Sequence, residues 1–169
     1  TGLAKRIDKS LEALAVLDKQ KFDMVISMSQ LADMDVFTLG DEIKKRAPDL
    51  PVVLLGESLG TGVATWVAAQ ADIAGLILIS AYTSIADVAQ SHYPWLPVRS
   101  LLKHPFRADQ WAGQTTSPAL LFHGRDDDII PIQFAQKQVG AFSGTARLIE
   151  IDNCGHNDIV DTGRGLLQS

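Results

Sequence analysis

Three short stretches carry side chains suited to one chemistry. In Gly56-Glu57-Ser58-Leu59-Gly60 a serine stands between glycines, where the apolar run PVVLL, 51–55, gives way to the helix-like GVATWVAAQ, 62–70. A serine with small neighbours at a strand-to-helix corner is held out on a sharp turn, as a nucleophile must be. Its hydroxyl attacks poorly until a base takes the proton, and that base must be held in the right tautomer by a third group. Four histidines are available. His92 and His104 lie in an irregular segment, and His123 ends a strand-like run, where a packed histidine bonded to backbone is the ordinary outcome. His156, in CGHND, sits on a short loop after the last strand-like run and is the best placed. The third group comes from HGRDDDIIP, where Asp126, Asp127 and Asp128 compete and spacing does not separate them. The bland alternative is a glycine-rich turn with an incidental serine, beside an acidic loop that caps the helix starting near Pro131.

These stretches can act together only if the fold brings them to one place. Residues 3–19 carry Leu3, Ile7, Leu11, Leu14 and Leu17 at helical spacing. FDMVIS, 22–27, reads as a strand. Asp35 can cap a helix over 36–47, which Pro48 closes. Strands follow at 51–55, 75–80, 118–122 and 146–151, and helices at 59–70, 132–142 and 158–168. Residues 81–117 are irregular, with short helices expected at 84–90 and 98–103. Alternating helices and continuous apolar strands predict a single α/β domain over 1–169, with a parallel sheet of about five strands and helices on both faces. PVVLL shows no alternation, which suits an inner strand buried on both faces. In such open sheets, sites form beyond the carboxyl ends of the strands. Ser58, the HGRDDD loop and the CGHND loop all follow strand ends, so they share one edge.

The composition narrows the class of function. At 169 residues, 46% hydrophobic and 21% charged, the chain has the makings of a globular core, and its net charge of -5 gives no reason to expect nucleic acid. No apolar run reaches membrane-spanning length and no signal peptide is seen, so a cytoplasmic protein is the default expectation, with no membrane partner. Cys154 is the only cysteine, which excludes an internal disulfide and a cysteine-based zinc site. No cofactor is expected.

From about residue 52 onward the chain resembles the C-terminal half of an α/β-hydrolase, in particular the Bem46-like branch of esterase-like and peptidase-like proteins. The strings that carry the resemblance are GESLGTGVA, LILISAYTSIADVA, YPWLPV, LLFHGRDDDIIP and CGHND. The resemblance implies a nucleophile at Ser58, an acid at Asp127 (four residues beyond His123) and a general base at His156. It thereby ranks three aspartates that spacing leaves equal.

Residues 1–55 resemble a different fold, the middle of a response-regulator receiver domain, which is flavodoxin-like. The position of the receiver's phosphoacceptor aspartate holds Met28 here, which speaks against phosphotransfer. The chain thus reads as a chimera, a receiver-like segment 1–55 joined to a hydrolase-like segment 56–169 at the strand 51–55. The expected activity is a serine hydrolase of small carboxylic esters, and the alternative is an inert or weak scaffold that keeps the triad residues. Two donors are needed for the oxyanion. The Leu59 N–H is one. The other normally comes from the replaced segment, and the Ser29 N–H is the geometric substitute. Met28, Tyr82 and Trp95 are expected to line the substrate pocket, with ordinary core packing the equal alternative for the aromatics. Loss of the hydrolase's N-terminal half leaves one face of the sheet under-covered, which favours either a homodimer or marginal stability.

Overall fold

The computed structural model describes residues 5–29 and 31–159. Helix α1 covers Ser10–Leu17, and strand β1 Val25–Met28. Helix α2, Val36–Arg46, starts where the Asp35 carboxylate accepts the Thr38 N–H, the capping expected from the sequence. Strand β2, Val52–Glu57, runs into α3, Leu59–Ala68. After β3, Gly75–Ile79, come three short helices, α4 (Ile85–His92), α5 (Val98–Leu101) and α6 (Ala108–Ala112). The last described elements are β4 (Ala119–Gly124), α7 (Gln133–Val139) and β5 (Ala146–Ile151). Helix α6 lies in the segment read as irregular, and is too short for a hydrophobic period to show. The helix expected at 158–168 lies almost wholly outside the described residues.

The five strands form one parallel sheet in the order β1-β2-β3-β4-β5. Each strand is added on the same side of the one before. Right-handed crossovers, the rule between parallel strands, then place every connecting segment over the same face. The burial follows this topology. Leu54, Leu76, Leu78 and Leu121 point to the covered face and pack with Ala64 and Val67 of α3. Nearer the β1 edge, Leu14 of α1, Leu39 and Ile43 of α2, and Val52 of β2 close a second cluster.

Strand β2 is paired on both sides, as its lack of alternation suggested, but it is buried on one face only. Val52, Leu54 and Gly56 are buried, whereas Val53 and Leu55 are half-buried. The same alternation recurs on β3, where Leu76 and Leu78 are buried and Ile77 and Ile79 are not. Apolar residues at every position therefore do not require two covered faces. The position most sensitive to charge is Leu54, with 2% of its surface exposed. Leu54→Asp is expected to prevent folding, because an unpaired carboxylate would be buried under α3. A cooperative thermal transition for that variant, followed by circular dichroism, would contradict the assigned core.

Candidate active site at the carboxyl edge of the sheet

The turn between β2 and α3 is strained. Ser58 has φ 49° and ψ -119°, a left-handed conformation that side chains other than glycine's rarely adopt. The surroundings hold it there. Its N–H donates to the Ile79 carbonyl, and its carbonyl accepts the Thr61 N–H and hydroxyl. The turn is tight because α3 crosses the end of β2 at contact distance. A methyl group on Gly56 would sit 2.6 Å from the Gly60 carbonyl oxygen, so only glycine fits. Gly56 is thus needed for close approach, and the serine side chain is left pointing off the sheet edge.

The acid is set by its loop. Beyond β4 the chain turns so that Asp127 is buried while Asp126 and Asp128 are exposed. One oxygen of Asp127 accepts the N–H groups of Ile129 and Ile130, at 3.0 and 2.7 Å. The other lies 2.8 Å from His156 Nδ1. Gly124, the last residue of β4, lets the loop carrying His156 lie directly on the strand end: a methyl group there would stand 2.1 Å from the Cys154 carbonyl oxygen. The Asp126 N–H donates to that carbonyl and ties the two loops together. His156 Nε2 then stands 3.0 Å from Ser58 Oγ. With a carboxylate as its partner, Nδ1 carries the ring proton, and Nε2 is left to accept from the serine hydroxyl.

Several expected site residues take other roles. The Ser29 N–H is not an oxyanion donor, because it is committed to the Leu55 carbonyl at 2.9 Å, extending the β1–β2 ladder. The buried Ser29 hydroxyl donates to the Gly60 carbonyl, also at 2.9 Å, and so braces the turn. Tyr82 does not line a pocket. It is buried beneath α3, packed on Gly62, with its hydroxyl donating to the Leu59 carbonyl at 3.3 Å. That burial pushes its hydroxyl pKa up to about 12. Trp95 is 77% exposed and meets Tyr93 edge to face at the surface. Met28 is half exposed on the sheet face away from α2 and α3. The Leu59 N–H lies in the first turn of α3, where amides have no intrahelical acceptor and the helix dipole favours negative charge.

A packed His123 bonded to backbone was the expected outcome, but its approach to Asp127 was not read from the sequence. His123 is fully buried on β4, its Nε2 donating to the Ile130 carbonyl at 2.7 Å and lying 3.4 Å from the Asp127 oxygen that faces His156. It fixes both ends of the turn that presents the acid. Its spacing four residues before Asp127 was the available signal, since a strand end and the loop beyond it can fold back on each other. Burial lowers the His123 pKa below the ordinary value of about 6.5. The ring is neutral in the fold and gains a proton on unfolding. Its stabilising effect is complete above the unfolded value and is lost as pH falls below it. The melting temperature is therefore expected to fall between about pH 7 and about pH 5.5 more steeply in the native protein than in His123→Gln, which has no group there to titrate. Parallel curves for the two proteins would exclude His123 as the responsible group.

Comparison with known proteins agrees with this architecture. No family model matches the sequence. An uncharacterized protein of Mycobacterium tuberculosis is 37% identical over 107 residues, covering 63% of this chain and 38% of that protein. The lysophosphatidylserine lipase ABHD12 of Danio rerio is 32% identical over 121 residues, covering 61% of this chain and 32% of that protein. The chain thus spans about a third of the length of these curated relatives. Among solved structures, the acylaminoacyl peptidase of Pyrococcus horikoshii has a TM-score of 0.61 at 13% identity, covering 75% of this chain and 24% of that one. An alpha/beta hydrolase enzyme from a lagoon-sediment metagenome has a TM-score of 0.56 at 17% identity, covering 78% and 64%. The chain has the α/β-hydrolase fold, with the parallel sheet and carboxyl-edge turn described above. Among the described residues, no helix is long and apolar enough to cross a membrane.

Proposed function

We propose that the chain is a serine hydrolase acting on carboxylic esters through Ser58, His156 and Asp127. The observation that carries this reading is the continuous chain of contacts from Asp127 through His156 to Ser58 Oγ, at 2.8 and 3.0 Å, on a strained turn. Similarity to a lipase and likeness in fold to a peptidase support the reaction class. In the first step Ser58 Oγ bonds to the ester carbonyl carbon while its proton passes to His156 Nε2. Asp127 holds the ring and offsets the charge that forms on it. The Leu59 N–H is aimed at the developing oxyanion. When the carbon–oxygen bond to the alcohol breaks, the leaving oxygen takes the proton from Nε2. Water then repeats the sequence on the acyl-serine and restores the enzyme.

One observation favours a second reading, an inert or weak chimeric scaffold in which a receiver-like segment replaces the hydrolase's own. The Ser29 N–H, the substitute for a second oxyanion donor, is committed to Leu55. Losing one such donor costs about 3 kcal/mol of transition-state stabilisation. Hydrolysis of a short p-nitrophenyl ester and labelling by a fluorophosphonate separate the two readings. The hydrolase reading expects both, with the label on Ser58; a folded protein that gives neither is the scaffold.

A further inference from the structure

The acid turn closes on the peptide group that joins Ile129 to Ile130. That group is planar and trans, so its carbonyl, which belongs to Ile129, and its N–H, which belongs to Ile130, point opposite ways and turn together. The N–H donates to Asp127 at 2.7 Å, the shorter of the two bonds on that carboxylate oxygen. The carbonyl lies 2.8 Å from Nε2 of His92, the last residue of α4. A carbonyl has no proton to give, so Nε2 is the donor. One rigid group thus has His92 at one end and the acid at the other.

His92 is exposed, yet its helix is fixed at both ends. At the start of α4 the Ser84 hydroxyl accepts the Asp87 N–H, and the Asp87 carboxylate pairs with Arg99 of α5 at 2.6 Å. Past the end, the Gln90 amide is shared among the carbonyls of Tyr93, Pro94 and Leu96, at 3.0 to 3.3 Å. The acid turn has fewer holds on this side. His123 takes the Ile130 carbonyl from within the fold, and His92 is the described partner of the Ile129 carbonyl.

We propose that His92 is a positioning residue for Asp127, acting through the Ile129–Ile130 peptide. Two effects run along this path. The first is orientation. If the peptide rotates, the Ile130 N–H leaves Asp127 and the carboxylate turns. The oxygen facing His156 then moves too, because both oxygens belong to one rigid group. The second is polarisation. An amide that accepts at its oxygen donates more strongly at its nitrogen, so the bond from His92 strengthens the bond on Asp127. The path continues from Asp127 through His156 to Ser58 Oγ. The proposal rests on the hydrolase reading of those three residues and adds a support for the acid from outside the sheet.

The test compares His92→Ala with His92→Gln, whose amide nitrogen can stand where Nε2 does, with circular dichroism as the control for folding. For a short p-nitrophenyl ester, His92→Ala is expected to lose about twofold to tenfold in kcat, the worth of one hydrogen bond, with KM unchanged. His92→Gln is expected to restore it. A second readout needs no turnover: the proton NMR signal of the His156 Nδ1–H, which reports the bond to Asp127. It is expected to move upfield and exchange faster in His92→Ala, and to return in His92→Gln. Should His92→Ala not fold, His92→Phe, which keeps a ring without a donor, takes its place. If the native protein hydrolyses no ester, the hydrolase reading fails and the NMR signal alone decides on His92. A signal unmoved in the variant without a donor overturns the proposal. So does an equal loss of kcat in His92→Gln, because the ring's shape rather than its hydrogen bond would then matter.

Discussion

Replacing Ser58 by alanine is expected to lower ester turnover by at least about a thousandfold, with the fold unchanged. The side chain makes one described hydrogen bond, to His156, and none of its contacts holds the turn. The turn is held by the Ser58 backbone, through Ile79 and Thr61, and alanine keeps both bonds. Alanine also inherits the strain of a φ of 49°. Glycine does not. Ser58→Gly should lose activity equally and melt at a higher temperature than the native protein, because glycine accepts a positive φ without penalty. That opposite movement of stability and activity distinguishes a strained nucleophile from a serine in an ordinary turn. Turnover undiminished in Ser58→Ala would remove Ser58 from the mechanism. A melting temperature for Ser58→Gly below that of Ser58→Ala would remove the strain argument while leaving the chemistry intact.

The parts of this protein that were legible in the sequence are those written in local pattern. The five apolar runs became five strands in sequence order, and β5 has the expected bounds, 146–151. Asp35 capped α2 because an aspartate one residue before an amphipathic run has a local hydrogen-bonding outcome. Ser58, His156 and the acidic loop were legible as candidates because each follows a strand end, and parallel strands bring their ends to one edge; the choice of Asp127 among three aspartates came only from the resemblance. What failed had in each case a non-local cause. The Ser29 N–H could not be seen to belong to Leu55, because one further rung of a ladder depends on where the pairing stops. Tyr82 and Trp95 looked alike as aromatics of one segment, yet one lies beneath Gly62 and the other in water. That separation depends on how residues 81–104 return across α3, which no periodicity records. An under-covered face was expected from the hydrolase resemblance, but the strands themselves did not reveal it. A strand with apolar residues at every position can be buried on one side or on two, and only the direction of sheet growth decides.

Asparagine at 127 is expected to reduce turnover by about ten-thousandfold, the scale found when a triad carboxylate becomes an amide, whereas Asp126→Asn and Asp128→Asn leave it within about twofold. All three substitutions remove one negative charge from the same loop, so net charge cannot explain a difference among them. Asp126 and Asp128 are exposed, and solvent screens what they contribute. Asp127 acts through geometry. The oxygen that accepts the Ile129 and Ile130 N–H groups can remain an amide oxygen in asparagine, so the loop keeps its shape. The NH₂ group then faces His156 Nδ1, which must give up its proton to accept from it. The ring proton moves to Nε2, and the atom that should accept from Ser58 becomes a donor. Because the defect is one of tautomer, it should be partly relieved at high pH, where hydroxide can take the serine proton directly. The Asp127→Asn rate should therefore climb with pH after the native rate has levelled. A pH profile parallel to the native one, or equal losses at all three aspartates, would show that Asp127 only supports the loop.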